Sequence, residues 1–597
     1  MIAEVYPLRR MPRRFQVFDY DVPAGMVVER GMAVRMPFRT GQTLGFIARL
    51  KERSNVQRGL KALTEVVPAL SLSQKELAWF EELAAGLALP VSTLLQAAIP
   101  TPPKRPRTKA YASPSVQPMM PEVHPSTQTI REKPGPFFVT LPHLREAALL
   151  LRDLCRNRTG AVQILTPNVQ DAKRLFEHLG ITDAIFLSGE EPPTARFQAW
   201  TAYRSKKDAV LVSTRLGSLW PHPHLAYICV VRAGHRNHKQ ANQNPRYDAR
   251  QAAATLAQHT GAKLVSVDVA PRADTCLHTN ILSGTAYPPP TIISTMVDPA
   301  IPAHPVLMPP TLEAIEETLT LGKHVVCIYN RKGVSHHLSC RDCHHTFACT
   351  ECGGPLVVYE RQLRCHRCAR AESVPLSCPK CHGTDLLRRG FGNRAIAQAL
   401  ERLCPGYAVQ IIEKEGGETP VAPILLVTQY YIESVFNAFA PPALGLVVDL
   451  DADALFFQPT FRATEEAVLA AYERRGLALA SNAKFLLQTQ NPIFFTRAFY
   501  DLVGLLKEDL DARRAYHHPP FRRSMRITYR GTSPQGALRL LIGEIRGKFP
   551  TVETHEEIHE RPSAWSLTMP PAIAPDVLKF FANLDDRYII DTNADGR

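Results

Sequence analysis

The sequence contains no uninterrupted apolar run of the roughly 18 residues that a membrane helix requires. Its N-terminus, MIAEVYPLRR, also lacks the apolar core of a secretory signal. We therefore expect no membrane partner and a cytoplasmic location. Wholesale disorder is excluded because 45% of the 597 residues are hydrophobic and only 21% are charged. A chain of this length predicts three to five domains.

Acidic residues are fewer than basic ones. Lysine and arginine number 70 against 56 aspartates and glutamates, which gives a net charge of +14. Such an excess favours an anionic partner, for example nucleic acid.

Cysteine is scarce except in one segment. Of the 13 cysteines, eight form four CxxC pairs: Cys340, Cys343, Cys349, Cys352, Cys365, Cys368, Cys378 and Cys381. Two CxxC turns complete a tetrahedral shell of four thiolates, so four turns predict two zinc ions. Iron–sulfur clusters also accept four thiolates, whereas disulfides do not suit a reducing cytoplasm. The spacing leaves open which pairs share an ion. The other five cysteines stand in apolar stretches of sequence, which predicts buried roles for Cys155, Cys229, Cys276, Cys327 and Cys404.

The pattern along the chain predicts several modules. Residues 1–70 read as short strands of a barrel-like module, and a capping box at Ser73–Glu76 predicts a helix that closes the module near residue 88. A linker rich in proline, serine and basic residues follows, either a basic arm that contacts phosphates or a simple tether. Two series of alternating strands and helices then predict two parallel α/β lobes, with the cysteine segment inserted in the second.

The predicted boundaries are as follows. The modules are an N-terminal module at 1–100, a linker at 101–136, a first lobe at 137–275, a second lobe at 276–335 and 389–490, a zinc-binding insert at 336–388 and a C-terminal domain at 491–597.

Short motifs accompany this order of modules. The N-terminal module carries Phe18-Asp19-Tyr20, VRMPF and Lys61, and the first lobe carries KQANQNPRYDAR at 239–250. Together with the eight-cysteine spacing, they make the chain resemble the bacterial PriA family, whose members are also called primosomal protein N′ or replication restart helicase. The resemblance implies a multidomain α/β protein with a strand-rich N-terminal DNA-binding module, two RecA-like helicase lobes, an inserted two-zinc module and a small C-terminal α+β domain.

The resemblance also implies site residues. It assigns 3′-DNA-end binding to the N-terminal module, where Arg39 replaces the family's glycine after Pro37-Phe38. It places one zinc on Cys340, Cys343, Cys378 and Cys381, and the other on Cys349, Cys352, Cys365 and Cys368. Our candidate DNA-binding residues are Phe18, Asp19, Tyr20, Lys61, Lys239, Arg246 and Arg250. For the aromatic residues the alternative is a core role, and for the basic strip at 239–250 it is a solvated helix face.

The helicase motifs are degenerate. A phosphate-binding loop needs glycines and a Lys-Ser/Thr pair, yet the strand PFFVT runs directly into Leu141–Glu146. The family's DEEH box, whose carboxylates hold Mg²⁺, is replaced by Arg232-Ala233-Gly234-His235. We therefore expect two Zn²⁺ ions per chain, no ATP or Mg²⁺, and no catalytic residues.

These losses favour a replication restart protein that recognises stalled forks, binds forked or single-stranded DNA and helps assemble the primosome without hydrolysing ATP. By resemblance, its partners would be other primosome proteins and single-stranded-DNA-binding protein. Two alternatives remain. One is an active ATP-dependent 3′ to 5′ helicase, and the other is a zinc-bearing nucleic-acid-binding protein without a replication role.

Overall fold

The computed structural model is a mixed α/β assembly of the predicted class. It describes the chain except for residues 15, 55, 57–58, 104–122, 157, 284–286, 296–305, 331–336, 344, 346, 348, 351–355, 360–361, 366–369, 390–391, 413–420, 430, 433–442, 457–459, 558–562 and 593–597. An antiparallel N-terminal sheet, two parallel-sheet α/β lobes, a cysteine-bearing insert and a small C-terminal sheet make up the chain. The predicted fold class is confirmed.

The N-terminal module is a five-stranded antiparallel sheet followed by two helices. Its strands are β1 (Ile2–Pro7), β2 (Phe18–Asp21), β3 (Ala33–Phe38), β4 (Gly41–Lys51) and β5 (Glu65–Val66), in the order β2-β1-β4-β3-β5. Helix α1 (Gln74–Gly86) begins with the predicted capping box, in which Ser73 and Glu76 bond each other's backbone N–H. Helix α2 (Val91–Ala98) follows. No single helix of the described residues has the length and composition of a membrane span; α1 and α2 pass that test only together, across a bend of 117°.

The first lobe contains a seven-stranded parallel sheet. Its strands are β6 (Phe137–Thr140), β7 (Ala161–Thr166), β8 (Ile185–Leu187), β9 (Val210–Thr214), β10 (Leu225–Val231), β11 (Lys263–Asp268) and β12 (Asn280–Ser283), in the order β12-β6-β11-β10-β7-β9-β8. The helices on its two faces are α4 (Leu144–Arg156), α5 (Val169–Leu179), α6 (Pro193–Ser205) and α7 (Ala249–Thr260).

Two boundaries of this lobe differ from the sequence analysis. Strand β12 pairs with β6, so the first sheet extends beyond residue 275 into the segment assigned to the second lobe. Within the predicted linker, α3 (Ser126–Glu132) buries Ile130 in the core that α4 covers. Sequence periodicity identifies a strand or helix but not the sheet or core that receives it, and this explains both differences.

Tryptophans join the N-terminal module to the first lobe. The indole N–H of Trp79 donates to Thr255 Oγ1 (3.1 Å), and the indoles of Trp200 and Trp220 donate to the carbonyls of Ala69 (3.2 Å) and Ala98 (2.7 Å). All three rings are fully buried in one hydrophobic core that both modules share. The module is thus docked rigidly on the lobe.

The second lobe contains a six-stranded parallel sheet. Its strands are β13 (Thr291–Ser294), β14 (His324–Ile328), β20 (Val409–Ile412), β21 (Ile424–Val427), β22 (Leu444–Asp449) and β23 (Lys484–Thr489), in the order β13-β23-β22-β14-β21-β20. Its helices are α8 (Pro309–Thr320), α9 (Asn393–Leu403) and α10 (Ala463–Ala480).

The insert leaves the second lobe after β14 and returns before α9. It contains an antiparallel pair, β15 (His337–Cys340) and β19 (Leu386–Arg389), and a three-stranded sheet of β16 (Leu356–Tyr359), β17 (Gln362–Cys365) and β18 (Ala371–Ser373).

The C-terminal sheet begins later than the boundary at 491. Helix α11 (Pro492–Tyr500) buries Phe495 in the second lobe's core, and α12 (Leu502–Ala515) packs Leu506 and Leu510 on Ala273 of the first lobe's final segment. The remaining elements are β24 (Arg523–Tyr529), α13 (Pro534–Lys548), β25 (Glu553–Glu557), β26 (Ala564–Met569), α14 (Ala574–Phe581) and β27 (Tyr588–Asp591), with strand order β25-β26-β24-β27.

A buried carboxylate ties three of these parts together. Glu465, on the first turn of α10, is 1% exposed and accepts bonds from Arg272 (2.9 Å), Arg462 (3.0 Å) and Arg513 (3.0 Å). Burial raises the pKa of Glu465, but the three guanidinium groups outweigh it and lower the pKa to about 2. Arg272 belongs to the first lobe's final segment and Arg513 to α12, so one carboxylate links both to the second lobe.

We predict that Glu465→Gln lowers the free energy of unfolding by about 3–5 kcal/mol, because it leaves buried guanidinium groups without their counter-charge. Urea denaturation at neutral pH measures the loss. Since the folded-state pKa lies below the ordinary 4.5, the contribution is complete above about pH 4.5 and disappears as the pH falls through about 2. Glu317→Gln, which removes an exposed pair with Lys484, is the control and should cost less than about 1 kcal/mol. Equal losses for the two variants would contradict the prediction.

Candidate nucleic-acid interface and metal centre

The aromatic residues of β2 occupy different environments. Phe18 is half-buried and meets the edge of Phe38 at a ring-centroid distance of 5.5 Å. Tyr20 is 5% exposed, and its hydroxyl donates to the carbonyl of Pro37 (2.8 Å). Of the two, only Phe18 presents part of its ring to the surface, whereas Tyr20 belongs to the core of the module.

Asp19 lies in a network of charges on the edge of the sheet. Lys51 Nζ contacts Asp19 Oδ2 (2.8 Å) and Glu4 Oε1 (2.7 Å), and Ser54 also bonds Asp19. The Arg49 guanidinium holds the pKa of Glu4 below its ordinary value. Lys51 therefore neutralises and orients Asp19.

Lys61 is exposed and lies beside the turn that follows β3. Its Nζ donates to the carbonyl of Arg39 (3.3 Å). Arg39 adopts a φ of 53°, the left-handed region that favours glycine. The residue that replaces the family's glycine thus keeps a glycine-like conformation and brings a cation to the same edge as Lys61.

The basic strip predicted at 239–250 is engaged within the protein. Lys239 Nζ pairs with Asp591 of β27 (2.5 Å), and Arg246 bonds the carbonyl of Ala241. Arg250 pairs with Asp248 (2.5 Å). The sequence showed the cations but not their partners, one of which is 352 residues away.

A polar groove of about 730 Å³ runs along the carboxyl edge of the first sheet. The loops that follow β7, β8, β9 and β10 form it, and Ala97 of α2 lies at its side. Parallel sheets commonly bind ligands at this edge. Within the described part of the chain, Arg196 Nε at the groove is buried without a hydrogen-bond partner. The lining is rich in amides and includes Asn168, Gln170, Asn237, Gln240, Gln243 and Asn244.

Four cysteine thiols converge at the ends of β15 and β19. Cys340, Cys343, Cys378 and Cys381 have Sγ atoms that all lie within 4.8 Å of one another. Cys340 and Cys381 are 3.4 Å apart, and Cys343 and Cys378 are 3.6 Å apart. Thiolates at 2.3 Å from a tetrahedral zinc would be separated by about 3.8 Å, so the donor set fits the ion.

A backbone N–H also stabilises a thiolate in this cluster. Lys380 N–H points at Cys378 Sγ (3.4 Å). Burial raises the pKa of Cys378, but hydrogen bonds from the N–H groups of Cys381 and Lys380 and from neighbouring thiols outweigh it and lower the pKa to about 7. A hydrogen bond from Gly383 N–H lowers the pKa of Cys381, but the thiols of Cys343 and Cys340 outweigh it and raise the pKa to about 12. A thiolate that forms easily is the form that binds metal.

The second predicted ligand set is largely outside the described residues. Cys352, Cys368 and the side chain of Cys365 fall there. Cys349 is described, and it is buried in a small core with Leu338 and Phe347. A second zinc ion therefore stays a prediction.

The segments that stand in place of the family's phosphate loop and DEEH box have other structures, as the sequence indicates. Residues 141–143 alone connect β6 to α4, and Leu141 and Pro142 are buried. At the end of β10, Arg232 is 4% exposed and pairs with Asp171 (3.1 Å) and Glu473 (3.2 Å). A buried cation thus replaces the first carboxylate of that box.

Comparisons with known proteins agree with this architecture. Residues 10–100 match the model of the PriA 3′ DNA-binding domain. Replication restart protein PriA of Treponema pallidum is 25% identical over 417 residues, which are 64% of this chain and 61% of that protein. For PriA of Haemophilus influenzae the identity is 25% over 358 residues, 55% of this chain and 48% of that protein.

The chain is similar to PriA proteins over 38–64% of its length, at 25–27% identity in these relatives. PriA of Thermotoga maritima is 27% identical over 245 residues, 38% of this chain and 32% of that protein. The chain therefore spans about a third to three fifths of the length of these PriA relatives.

Solved helicases resemble the chain only loosely. Mycobacterium smegmatis helicase Lhr bound to ssDNA and AMP-PNP is 11% identical with a TM-score of 0.33, covering 76% of this chain and 60% of its own. The Pyrococcus furiosus Hef helicase domain is 10% identical with a TM-score of 0.33, covering 63% of this chain and 98% of its own.

We predict that Cys378→Ser removes about one zinc ion per chain, because it breaks the described thiolate shell. Structural zinc contributes on the order of 10 kcal/mol to local folding, so β15 and β19 should lose protection from hydrogen exchange. Atomic emission measures the metal content. Cys276→Ser, a cysteine outside the cluster, is the control, and unchanged zinc in Cys378→Ser would refute the ligand assignment.

Proposed function

We propose that the protein recognises stalled or abandoned replication forks, binds their DNA and helps assemble the primosome without hydrolysing ATP. The observation that carries the proposal is the match of residues 10–100 to the PriA 3′ DNA-binding domain, with Lys61 exposed in that segment. The name of these relatives, replication restart protein, supports the cellular role.

The N-terminal module supplies the first DNA contact in this proposal. The exposed part of the Phe18 ring stacks on a terminal base, and Lys61 meets a phosphate. Arg39 adds a cation to the same edge. Asp19, neutralised by Lys51, repels a phosphate less than a free carboxylate would.

The polar groove supplies the second contact. Its amides and Arg196 suit a single strand, and the N-terminus of α5 at the groove favours phosphate. Ala97 of the N-terminal module lines the same groove. Because Trp79, Trp200 and Trp220 fix the two modules together, a DNA end and its single strand would be held at a fixed distance.

The residues that replace the nucleotide-binding motifs argue against ATP hydrolysis. Three residues, 141–143, offer too short a connection for a glycine-rich loop. Arg232 brings positive charge where a carboxylate would hold Mg²⁺. The described part of the site therefore favours a DNA-binding scaffold over an active helicase. Other primosome proteins and single-stranded-DNA-binding protein are its proposed partners.

We predict that the zinc-loaded protein binds a fork with a 3′ leading-strand end and shows no DNA-stimulated ATP hydrolysis. Fluorescence anisotropy and phosphate release, measured on the same samples, test both parts. Robust stimulated turnover would establish the helicase alternative. Absence of fork binding would overturn the scaffold itself.

We predict that Lys61→Ala weakens binding to a fork with a free 3′ end about fivefold, because one phosphate contact is lost. Binding to blunt duplex should change little. Lys75→Ala is the matched control, since Lys75 is an exposed lysine on α1 of the same module. Equal affinities of the wild type and Lys61→Ala for both substrates would remove Lys61 from the interface.

A further inference from the structure

Helix α10 of the second lobe contacts the first lobe through a buried cation. Arg232 lies at the end of β10, and its guanidinium bonds Asp171 of α5 (3.1 Å) and Glu473 of α10 (3.2 Å). Its φ of 51° is in the left-handed region, where a residue with a side chain is strained. Such a conformation persists only where surrounding contacts enforce it. We call Asp171, Arg232 and Glu473 the clasp.

The clasp sets one cation between two carboxylates, and its first-lobe members are shielded from water. Arg232 is 4% exposed and Asp171 is fully buried. Burial lowers the pKa of Arg232, but Asp171, Glu473 and Asp268 outweigh it and raise the pKa above its ordinary value. Removing one partner of a buried ion pair leaves an uncompensated charge, which is costly. Opening the lobes would separate Arg232 from Glu473 and leave Asp171 as its remaining clasp partner.

Residues of the second lobe fix Glu473 in place. Its Oε2 accepts a bond from Gln429 Nε2 (2.7 Å). Gln429 Oε1 in turn accepts from Arg474 (3.1 Å), which pairs with the buried Asp449 of β22. The carboxylate is therefore oriented towards the first lobe by the second lobe's own sheet.

A second contact closes the same cleft beside the clasp. The Tyr287 hydroxyl donates to Glu146 of α4 (2.9 Å), and Arg475 of α10 donates to the carbonyls of Tyr287 (2.8 Å) and Pro288 (2.9 Å). Residues 287–288 thus lie between α4 and α10.

The geometry points to a role for the clasp in lobe closure: the ion pair between Arg232 and Glu473 holds the two lobes closed without bound nucleotide. In nucleotide-driven proteins, cations gather around bound phosphates and stabilise their charge. Here a cation from the first lobe meets a carboxylate from the second, so closure needs no ligand. This goes beyond the proposed function, because it concerns the conformation of the lobes with or without DNA.

Hydrogen exchange of the full zinc-loaded chain, without nucleotide or DNA, tests the clasp. In Glu473→Gln, which keeps the side-chain shape but removes the charge, peptides covering 229–235 and 466–480 should exchange about tenfold faster than in wild type. Glu508→Gln is the control, since Glu508 pairs with Arg497 within α11 and α12 and does not cross the cleft. It should leave both peptides unchanged.

Equal exchange of these peptides in wild type and Glu473→Gln would overturn the inference. So would slower exchange of wild type on adding ATP, because closure would then depend on nucleotide. Tyr287→Phe removes only the neighbouring hydroxyl contact and is measured alongside. If Glu473→Gln unfolds globally, faster exchange of 144–150 in Tyr287→Phe supports closure, and unchanged exchange overturns it. ATP turnover by wild type with nucleotide-independent protection would refute the proposed function and leave the clasp standing.

Discussion

Buried pairs of arginine and carboxylate hold the two lobes of this chain together. Arg232 meets Glu473, and Arg272 meets Glu465. Each pair takes one partner from the first lobe and one from α10. Charges in a low-dielectric interior tolerate only small separations, because an unpaired ion costs several kcal/mol. The relative position of the two sheets therefore depends on α10, which carries both carboxylates.

The N-terminal module is positioned by a different force. Its helices share an apolar core with the first lobe, and buried indoles add directional hydrogen bonds to that core. At the other end, Arg13 donates to the carbonyls of Asp585 (3.1 Å) and Tyr588 (3.0 Å) next to the C-terminal sheet. Contacts between residues that are distant in sequence thus join the N-terminal module to both the first lobe and the C-terminal sheet.

Local patterns predicted the elements of the fold better than the contacts between them. The capping box at Ser73–Glu76 and the strand and helix rhythm depend on near neighbours, and the sequence shows these directly. The first cysteine shell joins pairs that are 35 and 41 residues apart. The family resemblance, and not the spacing, implied that shell. The sequence shows the charge of Lys239 but not its partner Asp591, which lies 352 residues away. Lys239 is therefore among the predicted DNA contacts although it is paired within the protein. The sequence shows that the phosphate loop and the DEEH box are replaced at 141–146 and 232–235. It does not show the ion pair between Arg232 and Glu473, because that pair depends on how the two lobes meet.

The first and last strands of the insert pair with each other, and this pairing sets the entropy cost of closing the loop between them. Its first and last strands, β15 and β19, lie side by side as an antiparallel pair, with His337 opposite Arg389 and Cys340 opposite Leu386. The two ends of the insert thus lie side by side, and the entropy cost of closing the loop between them grows only slowly with its length. Lengthening the insert between β15 and β19 therefore adds little to that cost.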